Sequence, residues 1–179
     1  TNILKDMEAK KLLANLFYNE KNKNNFNLSK EKKRYLDAAT IIEKDGVKIG
    51  VIGLSTPMSK KFEEDMGFLK DFHFAPIISE TKEQIKILKK QGANAIVVVA
   101  HMGIDNENGI SETGVKDLAN AVPEIDVILA GHMHQNVSKN IINGVLITEP
   151  FKYGMVVSEI NLKFNVNGKK VELLNKDSK

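Results

Sequence analysis

Apolar positions along this chain fall into short runs whose spacing changes twice between the N-terminus and the C-terminus. Residues 6–11 read as the end of a helix running into an apolar segment over 12–18, and 19–34, rich in Asn and Lys, read as a surface loop. Two apolar runs, 39–43 and 47–54, flank Lys44-Asp45-Gly46. Asp-Gly between such runs predicts strand, turn, strand, because a tight hairpin turn needs residues that accept positive φ. Ser55-Thr56-Pro57 closes the second strand, and 58–74 has no regular period.

From Pro76 the period becomes helical. Ile78, Ile85 and Leu88 share one face, Pro76 suits a first turn, and Gly92 suits a C-terminal cap. The run 94–100, apolar after Asn94 and rich in β-branched residues, has the pattern of a strand covered on both faces. A short helix over 113–122, with Thr113 as its cap, leads to a second buried strand over 126–130. Further apolar runs follow at 141–148, 155–164 and 169–174, the last two joined at Asn167-Gly168 as an antiparallel hairpin. The fold class is α/β with an antiparallel C-terminal end, organised as one domain over 1–179.

Composition narrows the function classes without naming one. Twenty-six Lys and Arg against 23 Asp and Glu leave a net charge of +3, spread too thinly for a nucleic-acid footprint. The longest purely apolar run, 95–100, is too short to cross a membrane as a helix. There is no cysteine, so disulfides say nothing about compartment.

The chemistry lies in the histidines. A strand over 95–100, a helix over 113–122 and a strand over 126–130 predict a right-handed crossover between neighbouring parallel strands. Ligands of open α/β sheets bind at the C-terminal ends of such strands. His101 follows the first strand in Ala100-His101-Met102-Gly103, and His132 and His134 follow the second in Gly131-His132-Met133-His134. In an extended segment residues two apart point the same way, so His132 and His134 are expected to face the crevice together. A single strand-end histidine, or His-x-His by itself, is more often an exposed or satisfied side chain than a ligand. Three gathered by topology reverse those odds and predict a metal site, with Zn, Mn or Fe suited to imidazole and oxygen ligands. His73, in Asp71-Phe72-His73, mimics a metal motif, but it sits in an irregular amphipathic stretch and is read as structural or exposed. Asp105 and Glu107 stand in a polar loop and are left out as solvated.

The two histidine motifs, 31 positions apart, resemble those of the calcineurin-like metallophosphoesterases, and more narrowly their 5′-nucleotidase and 2′,3′-cyclic-nucleotide 2′-phosphodiesterase branch. Ala14-Asn15-Leu16, the segment from Asp45 to Leu54 with Thr56-Pro57, and the segment from Gly144 to Pro150 with Tyr153-Gly154 fit the same branch, so the likeness covers roughly 12–165. The resemblance implies part of a two-sheet sandwich around a dinuclear site, with His101 and His132 on one ion and His134 on the other. It also implies an Asp-x-His, a Gly-Asp-x-x-Asp and a Gly-Asn-His-Asp/Glu ahead of the Ala-Asn-Leu segment. None of these occurs here.

The chain is therefore expected to be the C-terminal portion of a catalytic domain, with the N-terminal half and a substrate domain absent. The parent would use two divalent ions (Mn, Zn or Fe) on a nucleotide substrate. This chain would hold at most one ion, carry no catalytic residue of its own, and self-associate as a homo-oligomer. Its substrate-binding residues are unknown from the sequence. The resemblance favours a periplasmic, cell-surface or secreted parent. Two other readings stay open: a non-catalytic α/β module with a structural ion, and a mononuclear three-histidine hydrolase.

Overall fold

In the computed structural model, which describes residues 7–19, 33–63 and 66–179, Asp45 and Gly46 take φ of 52° and 76° and turn the chain between the first two strands of a central sheet. The elements run β1 (Leu16–Tyr18), β2 (Ala39–Lys44), β3 (Val47–Ser55), α1 (Ser59–Phe62), β4 (Phe72–Phe74), α2 (Ile77–Lys90) and β5 (Ala95–His101). They continue through α3 (Val115–Ala121), β6 (Val127–Leu129), β7 (Asn136–Ile142), β8 (Val145–Pro150), β9 (Ile160–Asn167) and β10 (Lys170–Ser178). Six strands form one sheet in the order β2-β3-β5-β6-β8-β7; the inner four are parallel and the two edges antiparallel. The expected crossover is present, with β5 and β6 paired in parallel through Val97–Val127, Val98–Ile128 and Val99–Leu129.

One face of this sheet carries the core. Ile52, Leu54, Ile96, Val98, Ala100, Ile128 and Ile147 alternate along their strands to meet α2 and α3, which contribute Ile77, Ile85, Leu88, Val115 and Leu118. Gly50 lets α2 come close, since a Cβ there would lie 2.8 Å from Leu88. The buried stripe of α2 also holds Glu80, Thr81 and Gln84. Arg34 Nη2 donates to Glu80 Oε2 at 2.6 Å, which pairs that buried carboxylate.

The opposite face is only half covered. The β9–β10 hairpin lies over its β6–β8 end, where Val127 and Leu146 are fully buried and Thr148 Oγ1 and Ser158 Oγ share a hydrogen bond of 2.7 Å. Over β2, β3 and β5, among the described residues, the apolar surface stays open: Ile42 is 57 % exposed and Val99 46 %. Among the described residues the segment around Leu12 lies on it, seated on Gly53 with Ala14 N–H donating to the Gly53 carbonyl at 2.7 Å.

Several details depart from the sequence expectation. Residues 7–11 are not helical, and Asp6 and most of the 19–34 loop lie outside the described residues. The run 141–148 is two strand ends, not one strand, because Asn143 and Gly144 (φ 48° and 80°) turn β7 back into β8. The final hairpin is shifted later: 155–159 is irregular, and Gly168 (φ 60°) makes the turn between β9 and β10. Thr113 does not cap α3. Gly114 stands at that position without a side-chain cap, while Thr113 Oγ1 donates to the Ile110 carbonyl at 2.6 Å. No helix of the described residues is long and apolar enough to cross a membrane.

The Gly53 contact gives a direct test. A Cβ at position 53 would overlap the Leu12 carbonyl backbone, which cannot rotate away as a side chain would. Gly53→Ala is expected to lose about 1–3 kcal/mol of stability by urea titration, as overpacked sites do. Hydrogen exchange should show the Ala14 amide losing protection first.

Candidate metal centre

His101 is the last residue of β5, and His132 and His134 stand in the turn that follows β6. Three backbone hydrogen bonds extend the ladder past the strand ends and hold the loops side by side. Thr56 N–H donates to the His101 carbonyl at 3.1 Å, Gly131 N–H to the Met102 carbonyl at 2.9 Å, and Ala130 N–H to the Thr148 carbonyl at 2.8 Å. Gly103 must lack a side chain, because a Cβ there would press into Met133 of the facing loop.

This framing brings His101 and His132 together. His132 Nδ1 lies 3.2 Å from His101 Nε2, with the rings edge to face and their centroids 4.8 Å apart. Phe62 at the end of α1 flanks the His132 ring at 5.6 Å. His134 belongs to the same rim, its ring 6.0 Å from that of Tyr153. His132 and His134 are not in an extended segment. Both take positive φ, 74° and 55°, so the alternation expected from the sequence does not apply. Among the described residues, no three His, Asp or Glu side chains are gathered closely enough to hold an ion. His73 stands apart on β4, stacked on Phe17 with centroids 5.7 Å apart and its Nδ1 3.3 Å from Asn19 Oδ1, a structural role.

Two imidazole nitrogens on one tetrahedral ion, each about 2.0–2.1 Å from it, would lie about 3.3 Å apart. The observed 3.2 Å between His101 and His132 matches that spacing, so the pair fits as two donors of one ion. Partial burial lowers the His101 pKa below the usual 6.5; positive charge on His132 and His134 lowers it further, and Glu107 opposes them. A lowered pKa keeps the nitrogen lone pair free near neutrality, which a ligand needs.

Two carboxylates that the sequence reading passed over lie at this rim. Glu107, which its polar loop predicts to be solvated, has a side chain only 8 % exposed; it accepts from Thr56 Oγ1 at 3.0 Å, and its Oε1 lies 3.5 Å from His132 Nε2. Asp105, two residues earlier, is 72 % exposed and pairs with Lys116, so it fits the solvated description. Glu149, at the end of β8, is fully buried; Oε1 accepts from Gln135 N–H at 3.1 Å, and among the described residues Oε2 has no hydrogen bond of good geometry, with the Met133 backbone N–H nearby. Burial pushes the Glu149 pKa up, against the pull of the Gln135 amide and of His134. For Glu107 the signal lay in Thr56 and Thr113, whose hydroxyls fix its side chain and its backbone N–H.

No protein-family profile matches the chain. It is 34% identical over 139 residues to the endonuclease YhcR of Bacillus subtilis, covering 76% of this chain and 11% of that protein. To the trifunctional nucleotide phosphoesterase protein YfkN of the same organism it is 31% identical over 151 residues, covering 72% of this chain and 10% of that protein. A 5′-nucleotidase of Vibrio cholerae is 29% identical over 155 residues, 74% of this chain and 28% of that protein. The chain thus spans about a tenth of the first two relatives. Among solved structures, a calcineurin-like phosphoesterase YfkN of Bacillus subtilis superposes with a TM-score of 0.76 at 21% identity, over 96% of this chain and 55% of that one.

Glu149 offers a test of the burial at this rim. Its folded pKa lies above the 4.5 of an unperturbed glutamate, so the folded chain keeps its proton where the unfolded chain has released it. Its contribution to stability is therefore full below about pH 4.5 and is lost as pH rises through the folded value. Glu149→Gln keeps the oxygen that accepts from Gln135 and cannot ionise. In metal-free urea titrations the variant should gain on the wild type between pH 4 and pH 7; a constant difference would mean that the carboxyl pays no cost for charge.

Proposed function

Because the chain belongs to the calcineurin-like metallophosphoesterase family, in its 5′-nucleotidase branch, we propose that it is part of the catalytic domain of a two-metal hydrolase of nucleotide phosphoesters. The observation that carries this reading is the 3.2 Å approach of His132 Nδ1 to His101 Nε2 at the C-terminal ends of neighbouring parallel strands. In this proposal His101 and His132 hold one divalent ion and His134 serves the other. When bound, such ions lower the pKa of a water and polarise a phosphoryl oxygen. The chain's own part is to place two imidazoles at ion spacing, hold the His101 pKa below its usual value by partial burial, and close one side of the site with Phe62 and the loop after β5. None of its residues is proposed as the nucleophile or the general acid. The likeness to that branch supports a parent in the periplasm, at the cell surface or outside the cell.

The 179-residue chain by itself is expected to bind at most one divalent ion and to hydrolyse AMP and 2′,3′-cyclic AMP negligibly. Among the described residues no carboxylate bridges the His101–His132 pair and His134, and two cations without a bridging ligand repel each other. Calorimetric titration with Zn²⁺ or Mn²⁺ should give up to one equivalent at pH 8 and much weaker binding at pH 5.5, where protons compete for imidazoles of ordinary pKa about 6.5. His132→Ala should abolish binding, and His73→Ala should leave it unchanged. Two tight equivalents, or turnover abolished by His132→Ala, would overturn the incomplete-site reading.

The open apolar surface around Ile42, Val51 and Val99 supports self-association of the isolated chain as a homo-oligomer. Light scattering should report a mass that rises with concentration, and Val99→Lys should return it to that of a monomer. A concentration-independent monomer in the wild type sinks this part of the proposal.

A further inference from the structure

Glu107 stands where a carboxylate controls which nitrogen of His132 is free. His132 has two ring nitrogens on opposite sides of the imidazole: Nδ1 faces His101 at 3.2 Å, and Nε2 faces Glu107 Oε1 at 3.5 Å. A group at Nε2 cannot share an ion held between Nδ1 and His101, so Glu107 is not a third donor of that pair. Its chemistry suits another task. A carboxylate accepts and does not donate, so it favours the tautomer with the proton on Nε2, leaving the Nδ1 lone pair toward His101.

Glu107 is held from the end of β3 and from within its own loop between β5 and α3. Thr56, fully buried after β3, donates its hydroxyl to Glu107 Oε1 at 3.0 Å, and the same hydroxyl accepts from Met58 N–H at 3.2 Å. Since Thr56 N–H also donates to the His101 carbonyl, one residue ties the carboxylate to the backbone of the other imidazole. Behind Glu107, its own N–H donates to Thr113 Oγ1 at 2.8 Å, and Asn106 Oδ1 accepts from Thr113 N–H and Gly114 N–H. Asp117 in turn accepts from Asn106 Nδ2 at 2.8 Å and from Glu112 N–H at 3.0 Å, which fixes the loop against α3.

We propose that Glu107 is a positioning residue: through His132 Nε2 it fixes the tautomer and ring orientation that aim Nδ1 at His101, with Thr56 anchoring the carboxylate. The affinity consequence rests on His132 being a metal ligand, as proposed above; the tautomer consequence does not. Carboxylates behind metal-binding imidazoles are worth about ten- to a hundred-fold in metal affinity.

The experiment reads both on the full chain. Long-range ¹H–¹⁵N correlation spectra of the ¹⁵N-labelled, metal-free protein at pH 8 report the tautomer of each imidazole. His132 is expected with its proton on Nε2, and Glu107→Leu should convert it to a mixture while His73 stays as it was. Zn²⁺ affinity of the variant should fall about ten- to a hundred-fold, and Glu107→Gln, whose amide oxygen still accepts, should recover part of it. A purely structural role would lower the melting temperature and leave the His132 tautomer as in the wild type. Should Glu107→Leu fail to fold, Thr56→Val removes only the anchoring hydroxyl and is expected to move the tautomer ratio in the same direction. A wild-type His132 protonated mainly on Nδ1, or an unchanged tautomer in folded Glu107→Leu, overturns the proposal. A tautomer held by Glu107 in a chain that takes up no Zn²⁺ upholds the positioning role and overturns the metal reading instead.

Discussion

Val97, Val98 and Val99 of β5 lie between Val51, Ile52 and Gly53 of β3 on one side and Val127, Ile128 and Leu129 of β6 on the other, all three strands running the same way. Parallel neighbours cannot be joined by a tight turn, so the chain must leave the sheet at each C-terminal end and return through a helix or a long connection. That constraint puts Thr56, His101 and Gly131-His132 at one rim, and the backbone hydrogen bonds beyond the strands carry the alignment into the loops. The approach of His132 to His101 is a consequence of this register. A slip of one residue in β5 would send His101 to the helix-covered face and Ala100 to the open one.

At that rim two imidazoles and two carboxylates are held close together by neighbouring strand ends. His101 is shielded enough from water to lose some affinity for a proton, and the neighbouring histidines add to that. Glu107 and Glu149 act on different parts of the same turn: Glu107 faces the His132 ring, and Glu149 accepts the Gln135 amide after the two histidines. Hydroxyl and amide donors hold each acid on one oxygen, which suits an orienting group better than a mobile one.

The two faces of the sheet differ in how far they are finished. Helices α2 and α3 seal one face, whereas the other is covered by β9–β10 over β6 and β8 and left apolar and open over β2, β3 and β5 among the described residues. An open face of this kind agrees with a chain that spans about a tenth of its first two relatives and 55% of a solved relative that it superposes on. His101 lies at the edge of the open part, lining the same groove as Val51 and Val99. Whatever covers that groove therefore also borders the imidazole pair.

The sequence by itself determined the α/β class, the parallel β5–α3–β6 unit, the Asp45-Gly46 turn, the final hairpin and the histidines at the strand ends. These are written in local patterns: β-branched runs, residues that accept positive φ, and the obligation of parallel strands to share an end. Only the tertiary structure decided what the side chains do there. Positive φ at His132 and His134 breaks the two-residue alternation of an extended segment, and no local propensity of His-x-His announces it. Glu107, in a polar loop that reads as solvated, is buried because Thr56, 51 positions earlier, and Thr113 fold against it. Glu149 is buried because β7 and the histidine turn close over the end of β8. Burial of a charged group depends on neighbours distant in the chain, and spacing along the sequence does not encode their approach.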